Sequence, residues 1–199
     1  MKKIITIIMT IVLLFPCFGN MPVQARTKTD WQKLYQNYVS KNYTDIDSYE
    51  AALIYIDKDD VPELYIKSSE SFMANDVCTI VTIKKNKVKT FDLSNQKMLY
   101  APKKNRMYCH CGAGTFIIEY LKISQIKNGK EKVLWNAIID QDPTYNNKVV
   151  YDYYINNKKV STKKYKAYVK KTTKKYKWKN VEKELKPLEQ IIDTELKAS

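Results

Sequence analysis

An acidic turn near residue 60 holds the side chains best suited to bind a metal. It reads Asp57-Lys58-Asp59-Asp60-Val61-Pro62-Glu63. Alternate carboxylates in a tight loop can converge on Ca²⁺, which takes six to eight oxygen ligands. Asp57, Asp59 and Glu63 are therefore the candidate calcium ligands. The sequence requires no cofactor, however, and favours a solvated hairpin turn in which Asp and Pro serve only the backbone geometry.

The three cysteines beyond residue 25 form a second group with possible chemistry. Cys109-His110-Cys111 and Cys78 offer four ligands of the type that binds Zn²⁺. In an extended strand, however, His110 faces away from Cys109 and Cys111. The same geometry separates His110 from a cysteine nucleophile. One disulfide between Cys78 and either Cys109 or Cys111 is the remaining option, and the sequence does not choose between them.

A lysine-rich stretch is the third candidate. Residues 158–179 contain eleven lysines and no acidic residue, with tyrosines and a tryptophan between them. Tyr165, Tyr168 and Val169 are spaced to share one helix face, which leaves the lysines on the exposed side. The predicted anion-binding residues are Lys163, Lys166, Lys170 and Lys174. Lysine favours diffuse attraction to anions over bidentate recognition. The alternative is an ordinary solvated helix face.

The N-terminus predicts export. Lys2-Lys3 precedes an apolar run over residues 4–15, and Val23-Gln24-Ala25 resembles a cleavage signal before Arg26. The prediction is a signal peptide over residues 1–25 and a single secreted domain over residues 26–199, with no transmembrane segment after cleavage. Cys17 suggests a lipoprotein instead, but Phe15-Pro16 fits such a site poorly. The net charge of +14 favours anionic partners.

Local patterns predict the elements that hold these residues. A helix is expected over residues 30–40, and hairpins turn at Asn86-Lys87, Asn128-Gly129 and Asn156-Asn157. Two C-terminal helices follow, one capped by Ser161 and one carrying Pro187, which implies a kink or a restart. The predicted strands are 51–56, 63–67, 77–84, 88–93, 115–126, 132–139, 149–155 and 158–160. The fold class is therefore α+β: a meandering antiparallel sheet of successive hairpins, with one N-terminal and two C-terminal helices.

Several of these segments resemble one family. Residues 55–64 are similar to a D-x-D-x-D-G-x-P-E-L hairpin, and Tyr154-Ile155-Asn156-Asn157-Lys158 begins a segment similar to Y-x-N-G-K-x-V-S. Both motifs are typical of uncharacterised small secreted proteins of Gram-positive anaerobes, and the resemblance runs in order over about residues 39–169. In this pattern Tyr55 replaces the first Asp and Asp60 replaces the Gly. The resemblance implies the fold and export, but no activity.

The sequence favours a secreted, non-catalytic module that binds anionic cell-envelope polymers through its lysine-rich C-terminal helix. No specific nucleic acid is expected. The alternative is a secreted hydrolase of envelope or host polymers, whose carboxylates come together only in the fold. Glu50, Glu63, Glu119 and several aspartates are the acids that the fold would bring together for that role.

Overall fold

The computed structural model describes residues 28–69, 76–95, 97–112, 117–142 and 150–197, so the predicted signal peptide lies outside the described residues. The helices are α1 (Lys28–Asn42), α2 (Thr162–Thr173) and α3 (Leu188–Ile191), with short 3₁₀ turns at Ile46–Ser48 and Val181–Lys183 and a π-helical turn at Ile192–Leu196. The strands are β1 (Tyr49–Ile54), β2 (Glu63–Ser68), β3 (Asp76–Lys84), β4 (Lys87–Asn95), β5 (Lys97–Ala101), β6 (Arg106–Gly112), β7 (Ile117–Lys127), β8 (Lys130–Asp142), β9 (Val150–Ile155), β10 (Lys158–Val160), β11 (Lys179–Asn180) and β12 (Lys186–Pro187).

The predicted α+β class, with antiparallel hairpins and terminal helices, is confirmed. The strands divide into two sheets. The first has five strands in the order β12-β1-β2-β3-β4, and the second has seven in the order β10-β9-β8-β7-β6-β5-β11. Every pairing between these strands is antiparallel.

The hairpin turns follow the local chemistry of asparagine and glycine. Asn128-Gly129 and Asn156-Asn157 all have positive φ, as the predicted two-residue turns require. The turn between β3 and β4 was predicted one residue too late. Lys84 pairs with Lys87, so the positive φ values fall on Lys85 and Asn86.

Three apolar clusters stack the elements into four layers. In β1, Ala51 packs in the cluster with α1 and α3, while its neighbour Ala52 packs in the cluster between the two sheets. This alternation is the period of two of a strand with both faces covered. On the far side, α2 places Tyr165 against the outer face of the second sheet. The order of layers is thus α1 with α3, first sheet, second sheet, α2.

The chain after α2 was predicted to form a helix that either kinks or restarts at Pro187, and it restarts. Residues Val181–Lys183 form a 3₁₀ turn, Lys186–Pro187 pairs with β1, and a new helix begins at Leu188. Proline has no N–H to donate and restricts the residue before it to extended backbone. Of the two outcomes predicted for Pro187, a kink or a restart, the structure therefore shows the restart. Among the residues that the structure describes, every helix is too short or too polar to cross a bilayer.

Candidate functional site

The acidic turn brings its three predicted ligands together. Asp57, Asp59 and Glu63 each offer a carboxylate oxygen, and these oxygens lie within 4.8 Å of one another. The backbone supports this arrangement, because the Asp59 N–H donates to Asp57 at 3.0 Å and the Val61 N–H donates to Asp59 at 3.2 Å. Two consecutive side chain-to-backbone bonds of this kind fold the chain into a tight loop.

Glu63 is the most deeply buried member of the group, with only 1% of its surface exposed. The Ile56 N–H donates to its carboxylate at 2.9 Å, and the Thr82 hydroxyl lies 3.4 Å away. Burial, followed by the nearby charge of Asp57, raises the pKa of Glu63 to about 8. Burial therefore favours the neutral, protonated form of Glu63 at neutral pH.

The ammonium of Lys84 lies among the three acids. Its Nζ is 2.6 Å from Asp57 and 2.9 Å from Asp59. Burial alone would raise the pKa of Asp57, but the Lys84 ammonium and the Asp59 amide lower it overall. Burial likewise opposes the charge of Lys84, and its bonds to Asp57 and Asp59 nevertheless raise its pKa. A lysine that bridges two aspartates stabilises the loop in the way that a bound metal cation would.

These residues fit calcium poorly. An entering Ca²⁺ would have to displace the Lys84 ammonium and take the proton from Glu63, since it binds ionised carboxylates. The turn is only partly solvated, because Asp57 is 8% exposed and Glu63 is 1% exposed, whereas Lys58 and Asp60 are exposed. The geometry instead describes an ion-paired structural loop.

Tyr35 of α1 connects this loop to the first sheet. Its hydroxyl donates to the carbonyls of Pro62, at 2.7 Å, and Val81, at 3.2 Å. Burial raises the pKa of Tyr35 well above its usual value, so the hydroxyl keeps its proton. The helix thereby holds the end of the acidic turn against β3.

The cysteines and His110 do not form one site. Cys109 and Cys111 point into the protein, whereas His110 lies on the opposite face of β6 with its Nε2 3.5 Å from Glu119. Cys78 belongs to the other sheet, and all three cysteines are buried. Among the described residues, none of the three forms the predicted disulfide with another. Burial raises the pKa of the Cys109 thiol, which makes it unreactive. Within the described ranges, the acidic turn is the one cluster of three or more such residues with ligand atoms close together.

Helix α2 presents the predicted anion-binding lysines. Ser161 accepts the Lys164 N–H at 3.4 Å and confirms the predicted cap. Tyr165 is buried, Tyr168 stacks on Trp135 with ring centroids 5.8 Å apart, and Val169 packs beside them. This contact turns the opposite side of the helix to solvent, where the exposed side chains include Lys163, Lys166, Lys170 and Lys174.

The charge of this helix face is not neutralised by any carboxylate that the structure describes. In the described part of the chain, none of the four lysines forms an ion pair with a carboxylate. The helix itself has no acid in its first turn, and Lys170 and Lys171 lie in its last turn. Basic residues at that end interact favourably with the helix dipole.

The glutamates considered for hydrolysis do not meet. Glu50 lies 4.0 Å from Lys67, Glu63 lies in the acidic turn, and Glu119 accepts the Tyr165 hydroxyl at 2.9 Å on the outer face of the second sheet. Glu184 and Glu195 do share a cleft. It has a volume of about 680 Å³ and lies beside α1 and the π-helical turn. Its lining includes Trp31, Tyr55, Glu184, Lys186 and Glu195.

Sequence reasoning found the acidic turn and the lysine helix but missed Lys84 and this cleft. Lys84 is 27 residues from Asp57, and only the packing of the sheet brings the two together. Glu184 and Glu195 flank the restart after Pro187 and have no diagnostic spacing. No signal in the sequence marks either feature.

Fold and site together define a basic α+β protein of two stacked antiparallel sheets, with an exposed lysine-rich helix on one outer face. Comparison with known protein families, with curated proteins and with solved structures finds no match.

Proposed function

We propose that the protein is a secreted, non-catalytic module that binds an anionic polymer of the cell envelope through α2. The observation that carries this proposal is the row of exposed lysines on a helix whose other face is packed against the sheet. A row of charges of this kind binds a polyanion whatever its sequence, because the attraction is electrostatic and each contact releases counterions. The basic n-region, the apolar run and Val23-Gln24-Ala25 support export.

The rigidity of the helix adds to the argument. The Thr172 and Thr173 hydroxyls donate to the carbonyls of Tyr168 and Val169, both at 2.8 Å, and the Trp178 indole N–H donates to the Thr173 carbonyl at 2.6 Å. The Trp178 ring also lies 5.8 Å from the Tyr108 ring of β6, so the C-terminal end of α2 is held to the second sheet and its lysines keep a fixed spacing. A preorganised row of charges loses less entropy on binding than a flexible tail.

The test is a salt titration of binding to purified Gram-positive cell wall. Changing all four lysines to Gln should leave folding nearly intact, since each exposed position is expected to cost under about 0.5 kcal/mol. Retention on the wall should fall, and the slope of log affinity against log salt should flatten by about 3. Wall freed chemically of its phosphate-linked polymers should retain the unchanged protein poorly.

A matched control removes the same charge elsewhere. Lys33, Lys41, Lys87 and Lys127 are also exposed and lie outside α2. Changing these four to Gln should lower retention much less than the α2 variant. If both variants lose retention equally, only the net charge matters; if neither does, α2 is an ordinary solvated surface. Either result contradicts the proposal.

Hydrolysis of an envelope or host polymer is the second candidate, and the cleft beside α1 is the observation that favours it. Glu184 and Glu195 come from different segments and line the same cleft as Trp31 and Tyr55. Two carboxylates on either side of a bound chain are the usual requirement of glycoside hydrolysis. Release of new reducing ends from purified wall, abolished by Glu184→Gln with Glu195→Gln, would establish this function in place of simple binding.

A further inference from the structure

A basic pocket opens where the chain leaves α2. It has a volume of about 480 Å³ and lies between the start of β5, β11 and the 3₁₀ turn that follows. Its lining includes Lys97, Leu99, Trp178, Lys179, Lys183 and Glu184. These residues come from two distant parts of the chain, which β5 and β11 join by pairing Lys179 with Tyr100.

The ring of Trp178 is fixed in this pocket. Its N–H is already bonded to the Thr173 carbonyl, and its ring contacts Tyr108 at 5.8 Å and Tyr176 at 5.3 Å between centroids. Tyr176 is itself held by Arg106, whose Nε lies 3.2 Å from the tyrosine hydroxyl. With its polar edge occupied, the indole offers the pocket an apolar surface.

The charges around the ring favour an anion. Lys97, Lys179 and Lys183 are exposed, and the single carboxylate of the lining is committed to other partners. The Tyr100 hydroxyl lies 2.8 Å and 3.0 Å from the two oxygens of Glu184, and Lys179 is 3.8 Å away. Lys97 and Lys183 form no ion pair with any described residue.

We infer that this pocket binds a sugar phosphate unit, with the sugar ring against Trp178 and the phosphate between Lys97 and Lys183. A sugar ring has a C–H face that packs on an aromatic surface, and its phosphate supplies the charge that the lysines attract. This inference rests on the proposed function, because the ligand is a repeating unit of the same polymer. It adds a specific subsite to the diffuse attraction of α2.

The pocket is close to the C-terminal end of α2. The Trp178 indole N–H donates to the carbonyl of Thr173, the last residue of the helix, and Trp178 lines the pocket. Linking a weak specific subsite to a weak electrostatic track raises the overall affinity without a new contact surface.

Isothermal titration of the protein of residues 26–199 tests the inference. The probes are glucose 1-phosphate, glycerol 3-phosphate, inorganic phosphate and glucose. Glucose 1-phosphate should bind at least about tenfold more tightly than each of the other three, because only it offers both a ring and a charge. Equal binding of glycerol 3-phosphate would assign the pocket to a lipid headgroup, and equal binding of inorganic phosphate to any anion. Both outcomes would overturn the inference, as would no binding at all.

Two variants locate the site. Lys97→Gln with Lys183→Gln changes only exposed side chains and should weaken glucose 1-phosphate binding by about tenfold or more. The control Lys33→Gln with Lys41→Gln removes the same charge from α1 and should leave binding unchanged. Fluorescence of Trp178 should respond to glucose 1-phosphate, and Trp178→Phe should remove that response while keeping an aromatic ring. Equal effects of the two lysine pairs would refute the site.

The two proposals fail separately. If the four-lysine α2 variant loses wall retention while glucose 1-phosphate does not bind, only the subsite is wrong. If glucose 1-phosphate binds at Trp178 while the α2 variant retains the wall normally, the proposed role of α2 is wrong and the pocket stands.

Discussion

Glu63 should make the folded protein less stable as the pH rises, and Glu63→Gln should remove that loss. Burial raises the pKa of Glu63 from 4.5 to about 8. The native state therefore holds a proton that the unfolded chain releases above pH 4.5. The contribution of Glu63 to stability is greatest below the unfolded pKa, falls as the pH rises, and reaches its minimum above the folded pKa.

The size of this effect follows from the two pKa values. Each unit of difference corresponds to about 1.4 kcal/mol of unfolding free energy. The penalty should be under about 1 kcal/mol near pH 5, about 3 kcal/mol near pH 7 and about 5 kcal/mol above pH 8. Gln keeps an oxygen to accept the Ile56 N–H and has the shape of the protonated acid, so it should escape the penalty.

Urea unfolding from about pH 5 to pH 8 measures this difference, with tryptophan fluorescence as the signal. The variant should be more stable than the unchanged protein at the upper end and nearly equal at the lower end. Glu189→Gln, at an exposed position in α3, is the matched control and should leave the pH profile unchanged. Parallel profiles for the Glu63→Gln variant and the unchanged protein would refute the buried, protonated acid.

Three further predictions concern the ion-paired loop, a turn and the thiols. Lys84→Gln should destabilise the fold by roughly 1–3 kcal/mol in urea unfolding, because it leaves two carboxylates beside a buried acid. About 1 mM calcium should then raise the thermal stability of this variant but not that of the unchanged protein. If calcium stabilises the unchanged protein by several kcal/mol, the structural role of Lys84 is wrong. Gly129→Ala should cost about 1–3 kcal/mol, because φ is +73° and the new Cβ would lie 2.6 Å from Lys89, whereas Asn128→Gly should be nearly neutral. The protein of residues 26–199 contains Cys78, Cys109 and Cys111. A thiol reagent should react with none of them in the native state and with all three after unfolding without reductant. Fewer than three reactive thiols after unfolding would indicate a disulfide.

Features set by local chemistry were predictable from the sequence. Asn128-Gly129 and Asn156-Asn157 accept the positive φ of a two-residue turn, and Ser161 caps α2 with its own hydroxyl. The lysine-rich side of α2 was predictable for the same reason, since the spacing of its aromatic residues decides which side faces the sheet. None of these features depends on a distant part of the chain.

Features set by long-range packing were not predictable. Strands β5 and β6 were missed because their connection uses Lys103 and Asn105 with positive φ and contains no glycine. The division into two sheets was missed as well, since alternation of apolar residues indicates a strand without naming its partner. The acidic turn was located correctly, yet its chemistry depends on Lys84, which only the folded sheet brings to it.

The outer position of α2 gives the molecule a defined direction. The layers run from α1 and α3 through both sheets to α2, with about 10 Å between packed sheets. Electrostatic attraction is screened within about 8 Å in physiological salt, so a charged surface that attracts α2 acts only weakly on the opposite layer. A molecule held through α2 would therefore stand on that surface in one orientation, with α1 and the cleft beside it turned outward. Many copies bound side by side would cover the polymer with a second surface formed by α1 and the cleft beside it. The chemistry of that surface would differ from that of the polymer beneath.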